Sequence, residues 1–489
     1  MKTAKTPADI PASMDPEDWD AFRERAHDML DRSIDHMMAS KEGRVWTPVP
    51  EALKSLLQEP LFADGVSARQ VDHLIEALLP HGPGNKHPRF FGWVHGSGTP
   101  SGIIADMAAA ALNANSGGRD HVALYVERQL VSWVRTLFGF PETASGLVVS
   151  GTSTATLIAL KAARDAALDF ASRSGGIDGT GLVAYTSSET HSCVARTFDI
   201  LGLGSAALRR LPVDGNFRIS LGLLEETIEE DRSAGLTPFA IIGTAGTVNT
   251  GAIDPLPQLA ALSKANGLWF HIDAAFGASG VLSDTLRPHL SGMELADSIA
   301  FDFHKWMHVN YDAGFVLVRD EELHRRAFSD RPDYLASNER GLAAGYPWPV
   351  DYGIELSRGF KALKVWAHLM EHGTDKLGRA VSRNCEQVRY LADKIDAHPQ
   401  LQRLAPVETS ICCLRFVPHA NVIPDELDRM NQEIAIRLQE SGVAAPSTTR
   451  INGKLAIRVN ITNHRTEFSD LDLLVDAIVD QGEAISNES

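Results

Sequence analysis

Apolar positions along this chain follow two rhythms. Short continuous apolar runs at 146–150, 182–185, 239–243, 268–273, 298–301 and 314–318 alternate with stretches of helical spacing such as 154–169 and 221–231. Runs of that length, apolar on both faces and separated by helices, predict a mostly parallel sheet sandwiched between helices, an α/β fold. In such sheets the ligand sits beyond the C-terminal ends of the strands. A residue that directly follows one of these runs is therefore a candidate for chemistry.

The flanks of this region read differently. Asp15 and Pro16 predict a helix start, with aspartate as N-cap and proline in the first turn. Trp19, Phe22, Ala26, Met29, Leu30, Ile34 and Met37 then share one helical face, which packs either on the chain's own core or on a second subunit. Proline and glycine punctuate residues 80–102, marking a first boundary. Residues 322–353 mix charge, glycine, proline and the aromatics Tyr334, Tyr346, Trp348 and Tyr352 without a period, which predicts a mobile surface loop near the site. Helices at 356–371 and 374–397, a strand at 410–417, a helix at 424–441, a strand at 454–461 and a helix from 467 to 481 complete the pattern. The division expected is 1–98, an N-terminal helical segment; 99–372, the large domain; and 373–489, a small α+β domain. A chain of 489 residues is too long for a single core.

Composition narrows the partners. The chain is 44% hydrophobic and 22% charged, as globular proteins are, and its net charge of −17 argues against nucleic acid or an anionic membrane as a partner. No run approaches the roughly 18 apolar residues of a membrane span, and no apolar segment follows the N-terminal lysines. The four cysteines, Cys193, Cys385, Cys412 and Cys413, have no metal-ligand spacing. A reduced, cytoplasmic setting is expected, with no metal.

Two charged residues stand at strand ends. Lys305 follows the run ending at 301, and Asp273 closes the run 268–273. Poor hydration between apolar strands would push a lysine towards its neutral, nucleophilic form. A nucleophilic lysine plus a carboxylate for a ring nitrogen is the minimal equipment for pyridoxal 5'-phosphate (PLP). His271 and Asp273 alone could also suggest a metal-dependent hydrolase, but a third ligand is missing. Ser150-Gly151-Thr152-Ser153-Thr154 joins a strand to a helix and offers backbone N–H groups to an anion, without a Walker pattern. His191 opens another helix after a strand, where it could stack on a ring or move a proton. The loop 243–251 brings Thr244 or Thr247 to the same edge.

In this order the motifs resemble the group II PLP-dependent decarboxylases, the family of aromatic-amino-acid, histidine and glutamate decarboxylases. The likeness runs through residues 87–93, 150–160, 189–192, 243–247, 271–276, 296–306 and 354–366. It implies the fold-type I architecture, a homodimer with both subunits lining each site, and decarboxylation of an L-amino acid to the amine and CO2. It assigns Lys305 as the Schiff-base lysine, Asp273 to the ring nitrogen, His191 to the ring face and Ala275 beneath it. It places Gly151, Thr152, Ser153, Asp302 and His304 around the phosphate and lysine. Trp93 falls at a substrate-pocket aromatic, and with Phe91 and Trp348 it favours an aromatic or bulky apolar substrate. His95 is a further pocket candidate, in a stretch (Val-His95-Gly-Ser-Gly) that departs from the aromatic-type pocket and leaves the substrate side chain open. In aromatic decarboxylases a loop tyrosine protonates Cα. Back-counting from Phe360 puts Pro349 there, leaving Tyr346 or Tyr352 to substitute. Family members altered at that tyrosine can be aldehyde synthases; aldehyde synthesis, transamination or retro-aldol cleavage is the alternative outcome on the same scaffold.

Overall fold

The computed structural model describes residues 13–61, 65–330, 336–419 and 422–488. It opens with α1 (Trp19–Met38), α2 (Glu51–Leu56) and α3 (Ala68–Leu78). Helix α1 starts three residues later than Asp15 suggested. Its N-cap is Asp18, whose carboxylate accepts from the backbone N–H groups of Asp20 and Ala21 at 2.9 and 3.0 Å. No residue of α1 is buried, and Trp19 is 58% exposed. Arg25–Asp72 (2.7 Å) and Arg32–Glu76 ion pairs tie α1 to α3, so the apolar face predicted for α1 covers no core of its own chain.

After β1 (Phe90–Phe91), α4 (Ser101–Leu112) and α5 (Val122–Phe138), the main layer begins. Its elements are β2 (Ser145–Val149), α6 (Thr152–Ala167), α7 (Ser172–Gly175), β3 (Leu182–Ser187), α8 (Ser192–Ile200), β4 (Leu208–Leu211), α9 (Leu221–Ser233), β5 (Thr237–Thr244), α10 (Leu256–Asn266), β6 (Trp269–Asp273), β7 (Ser298–Asp302) and β8 (Gly314–Val318). They form a seven-stranded sheet in the order β2-β8-β7-β6-β5-β3-β4. Only β8 runs antiparallel to its neighbours. Eleven residues, 303–313, separate β7 from β8, too few for the crossover that a parallel partner needs, so the chain turns straight back. The loop carrying Lys305 is thereby held at the C-terminal edge of the parallel strands. The edge strand β4, Leu-Arg-Arg-Leu, has too few apolar residues to be recognised as a run.

Gly314 fits because β8 begins directly against Gly151. A Cβ at Gly314 would overlap the Gly151 backbone, so any larger residue would push apart the two segments that frame the site.

The region 322–353 departs from the expected loop. Residues Glu321–Phe328 form α11, capped by Asp320, and Trp348, Pro349 and Tyr352 are buried. Tyr334 lies outside the described residues. Helix α12 (Ala362–Ala397) begins six residues after the predicted start and breaks at Gly373, whose φ of 65° is open to glycine at little cost.

The chain closes with β9 (Leu401–Arg403), β10 (Ile411–Phe416), α13 (Pro424–Ser441), β11 (Ala445–Ile451), β12 (Lys454–Asn460) and α14 (Phe468–Glu488). Its second sheet has the order β1-β11-β12-β10-β9, so Phe90–Phe91 from the N-terminal segment supplies a parallel edge strand to C-terminal structure. Among the described residues no helix is long and apolar enough to cross a membrane.

Candidate active site

At the C-terminal edge of the large sheet lies a cavity of about 500 Å³. Ten residues expected to surround a cofactor line it together: Gly151, Thr152, Ser153, His191, Thr244, Asp273, Ala275, Asp302, His304 and Lys305. They come from five separate segments, which the strand order brings to one rim. Of the two threonines offered by the loop after β5, Thr244 reaches the cavity. Thr247 spends its hydroxyl on Thr250 Oγ1 (2.9 Å) and the Ala252 N–H (3.1 Å).

Asp302 organises one end. Its Oδ1 accepts from the Thr152 N–H at 2.7 Å, and its Oδ2 pairs with Lys305 Nζ at 2.8 Å. One carboxylate therefore ties the first turn of α6 to the lysine. This pairing corrects the expectation of a neutral lysine. Burial does pull Lys305 down, but the Asp302 charge and hydrogen bond outweigh it, and the net shift is upward. His304 accepts from the Ala313 N–H through Nδ1 at 3.0 Å, which leaves Nε2 as its donor nitrogen, 3.7 Å from Asp302.

Asp273 stands at the other end, 2% exposed, with Oδ1 accepting from the Ala275 N–H at 3.1 Å. Burial raises its pKa, opposed by the charges of Lys305 and His191. A carboxylate so placed is stabilised by any cationic group that enters beside it. His191 caps α8 by accepting from the Cys193 N–H at 3.2 Å through Nδ1, which leaves Nε2 as its donor nitrogen. Burial lowers its pKa, so the ring is neutral near pH 7. His271 faces Ser298 Oγ at 2.8 Å, fully buried, its pKa pushed down to about 3 by burial. No group of three His, Cys, Asp or Glu among the described residues could hold a metal ion.

The residues fit PLP on their own chemistry. The buried Thr152 hydroxyl has no partner at the N-terminus of a sixteen-residue helix, where an anion is favoured. An amine in reach of that end and a buried carboxylate at the other match a phosphorylated pyridine aldehyde.

The aromatic wall is differently built from the one expected. Trp93 and His95 line the cavity and stack with ring centroids 5.7 Å apart, and Phe90 stacks on His95 at the same separation. Phe91 does not reach the cavity. It is fully buried in the C-terminal core against residues such as Phe416 and Ile457, because adjacent residues of a strand point to opposite faces. Trp348 is also excluded: its ring is buried under the Arg119 guanidinium and its Nε1–H donates to the Ala344 carbonyl at 2.9 Å. The loop tyrosines lie elsewhere too. Tyr346 sits by the Arg325 guanidinium of α11, 5.4 Å from ring centre, and Tyr352 donates to Glu321 at 2.5 Å. Neither lines the cavity, so Tyr346 is not placed as a catalytic group within its own chain.

Three lining residues went unread in the sequence: Tyr311, Phe276 and Cys193. Burial raises the Cys193 thiol to about 12, which makes it inert. Arg458 was also missed. It donates to the carbonyls of Trp93 and Val248, both at 2.8 Å, and so fastens the aromatic wall to the loop after β5. Trp93 itself holds φ at 49°, an uncommon value for a bulky residue and one that the Arg458 and Ser447 hydrogen bonds help to fix.

Residues 50–417 match the model of the pyridoxal-dependent decarboxylase conserved domain. The chain is 30% identical to an aromatic-L-amino-acid decarboxylase of Bacillus atrophaeus, over 92% of this chain and 93% of that one. It is 28% identical to a phenylacetaldehyde synthase of Arabidopsis thaliana, over 92% and 94%. Its fold matches the crystal structure of Oryza sativa TDC with PLP and tryptamine with a TM-score of 0.88 at 23% identity, covering 97% of this chain and all of that one.

Proposed function

This chain belongs to the pyridoxal-dependent decarboxylase family, a PLP-dependent carboxy-lyase of fold-type I, and from that premise we propose that it decarboxylates an L-amino acid with an aromatic or bulky apolar side chain to the amine and CO2. The observation that carries this substrate class is the stacked pair of Trp93 and His95 lining the cavity, with buried Phe90 behind His95, flat surfaces against which another ring gains area. The aromatic-amino-acid relatives support the same reading.

Bound PLP supplies an aldehyde for an amine and a ring that accepts the electron pair of a breaking Cα bond. In this reading Lys305 would hold the cofactor's aldehyde end, while Thr152 and Ser153 at the start of α6 would hold its phosphate, with Gly151 giving room. Asp302 orients Lys305 and His304 backs Asp302. Asp273 would accept from the ring nitrogen and favour its protonated form. His191 and Ala275 would confine the ring. Trp93 and His95 would hold the substrate side chain and so orient the carboxylate.

Incubation of the purified enzyme with a panel of amino acids, assaying amine, CO2, aldehyde and peroxide separately, tests this. Amine and CO2 in equal amounts from an aromatic substrate are expected; aldehyde with peroxide would assign aldehyde synthesis instead. Trp93→Ala should raise KM for that substrate roughly 10- to 30-fold, the equivalent of about 1.5–2 kcal/mol of lost apolar contact. An unchanged KM would remove Trp93 from the pocket.

We also assign residues 1–98 as a dimerisation segment, 99–372 as the PLP-binding domain and 373–489 as the small domain. Support comes from the unpartnered apolar residues Trp19, Phe22, Ile75, Leu78, Ile104 and Met107 on α1, α3 and α4. Sedimentation equilibrium should give twice the chain mass at micromolar concentration. A monomer at that concentration would exclude a shared site.

A further inference from the structure

Both polar atoms of the Asn249 side chain are spent on contacts between elements far apart in sequence. Oδ1 accepts from Thr449 Oγ1 of β11 at 2.8 Å, and Nδ2 donates to Glu189 Oε2 at 3.0 Å. The Asn249 carbonyl accepts from Arg458 Nε of β12 at 3.3 Å and from the Cys413 thiol of β10 at 3.2 Å. Strands β11, β12 and β10 are neighbours in the second sheet, whereas Glu189 lies in the turn between β3 and α8 of the large one. Val248, the residue before Asn249, lines the cavity, and so does His191, two residues after Glu189. One amide therefore joins two stretches of the cavity wall.

The loop that carries Asn249 has further ties to C-terminal structure. Thr409 Oγ1 donates to the Gly251 carbonyl at 3.1 Å, and Glu408 accepts from the Ile253 N–H at 3.0 Å. The turn 188–191 is held otherwise by the large sheet: Arg210 of β4 donates to the Ser188 and Thr190 carbonyls at 3.0 and 3.3 Å, and the Thr190 hydroxyl meets that of Thr186 on β3. Glu189 is where this turn reaches the second sheet, and a carboxylate accepting from an amide makes a stronger bond than a neutral acceptor does. His191 cannot hold its own place. Its Nδ1 accepts from the Cys193 N–H at the start of α8, so the ring follows the turn.

We propose that Asn249 is a positioning residue: through Glu189 it fixes the His191 turn against the second sheet, so that the imidazole keeps its place at the rim as ligands enter. This rests on the reading that His191 confines the cofactor ring. A displacement of about 1 Å in a site can cost roughly 10²-fold in rate, so a tether outside the cavity still bears on the chemistry.

Three variants test this. Asn249→Asp is near-isosteric, keeps the acceptor for Thr449 and the backbone contacts, and turns only the Glu189 bond into a repulsion between carboxylates. Asn249→Asp combined with Glu189→Gln restores that bond with donor and acceptor exchanged. Glu189→Ala deletes it, and decides the matter should Asn249→Asp fail to fold. Titration of the cofactor-free proteins with PLP should give a Kd about 10-fold weaker for Asn249→Asp and for Glu189→Ala. The visible circular dichroism of the bound cofactor should fall by roughly half or more, and kcat with the best amino acid of the panel about 10-fold. The double variant should return each quantity to within about 3-fold of the parent. Thermal midpoints of the cofactor-free proteins should stay within about 3 °C of one another, which a merely structural contact would not allow.

Parental Kd and dichroism in Glu189→Ala would overturn the proposal. A loss in Asn249→Asp that the double variant leaves unrepaired would do so too. Both cofactor readouts are taken without substrate. A parent that releases no amine from any amino acid, while Kd and dichroism follow the expected pattern, would overturn the decarboxylation reading and leave the role of Asn249 standing.

Discussion

Lys305→Ala should abolish turnover, by roughly 10⁴-fold or more, and with it the visible absorbance of a lysine-linked cofactor. The variant should still fold, because the side chain removed is a cavity-lining one whose chief partner is the Asp302 carboxylate at 2.8 Å. Removing the cation does leave Asp302 buried with one fewer partner, which retains the Thr152 N–H at 2.7 Å. A modest loss of thermal stability is therefore expected alongside the catalytic loss. Reduction of the parent with borohydride, digestion and mass spectrometry should place the adduct on Lys305. An adduct on another lysine, or a variant with more than a hundredth of parental activity, would remove Lys305 from its assigned role.

Asp273→Asn should separate binding from chemistry. Its carboxylate is buried and held by the Ala275 N–H, so the near-isosteric amide should keep the site's shape and leave cofactor content close to parental. What disappears is one negative charge. At about 4 Å and an effective dielectric constant of about 20, that charge is worth about 4 kcal/mol to a protonated ring nitrogen, or roughly 10³-fold in rate. Purified Asp273→Asn should therefore be yellow and nearly inactive. Parental kcat in a loaded variant would show that ring protonation does not depend on this residue.

Much of this site was legible because α/β sheets make strand ends conspicuous. Asp273 closes β6, Lys305 follows β7, and both strands are uninterrupted apolar runs, so the two residues had to meet at one edge. The fold class followed from the same pattern. What stayed hidden depended on side-chain direction and on contacts distant in sequence. Phe90 and Phe91 are interchangeable in composition, yet the alternation of the strand sends Phe91 into the C-terminal core and leaves Phe90 with the wall. Strand β1 is two residues long, too short to reveal its own phase. Tyr311 lies in a Val-Asn-Tyr-Asp turn that reads as ordinary connection, and only the packing of Gly96 on the lysine loop brings the wall beside it. The protonation of Lys305 was misjudged because apolar flanks were weighed without Asp302, three residues away across a turn. Tyr346 illustrates the opposite error: an aromatic in an aperiodic segment carries no signal of where it will point.

The arginine that pins the aromatic wall adds a practical corollary. Arg458 lies on β12, forty-one positions beyond the end of the matched stretch 50–417, yet it grips carbonyls on either side of the cavity. A shortened protein trimmed to the recognisable stretch would keep every group proposed for the chemistry and discard the clasp that sets their spacing. Truncation boundaries drawn from homology would thus yield an enzyme complete in its reagents and deficient in its alignment.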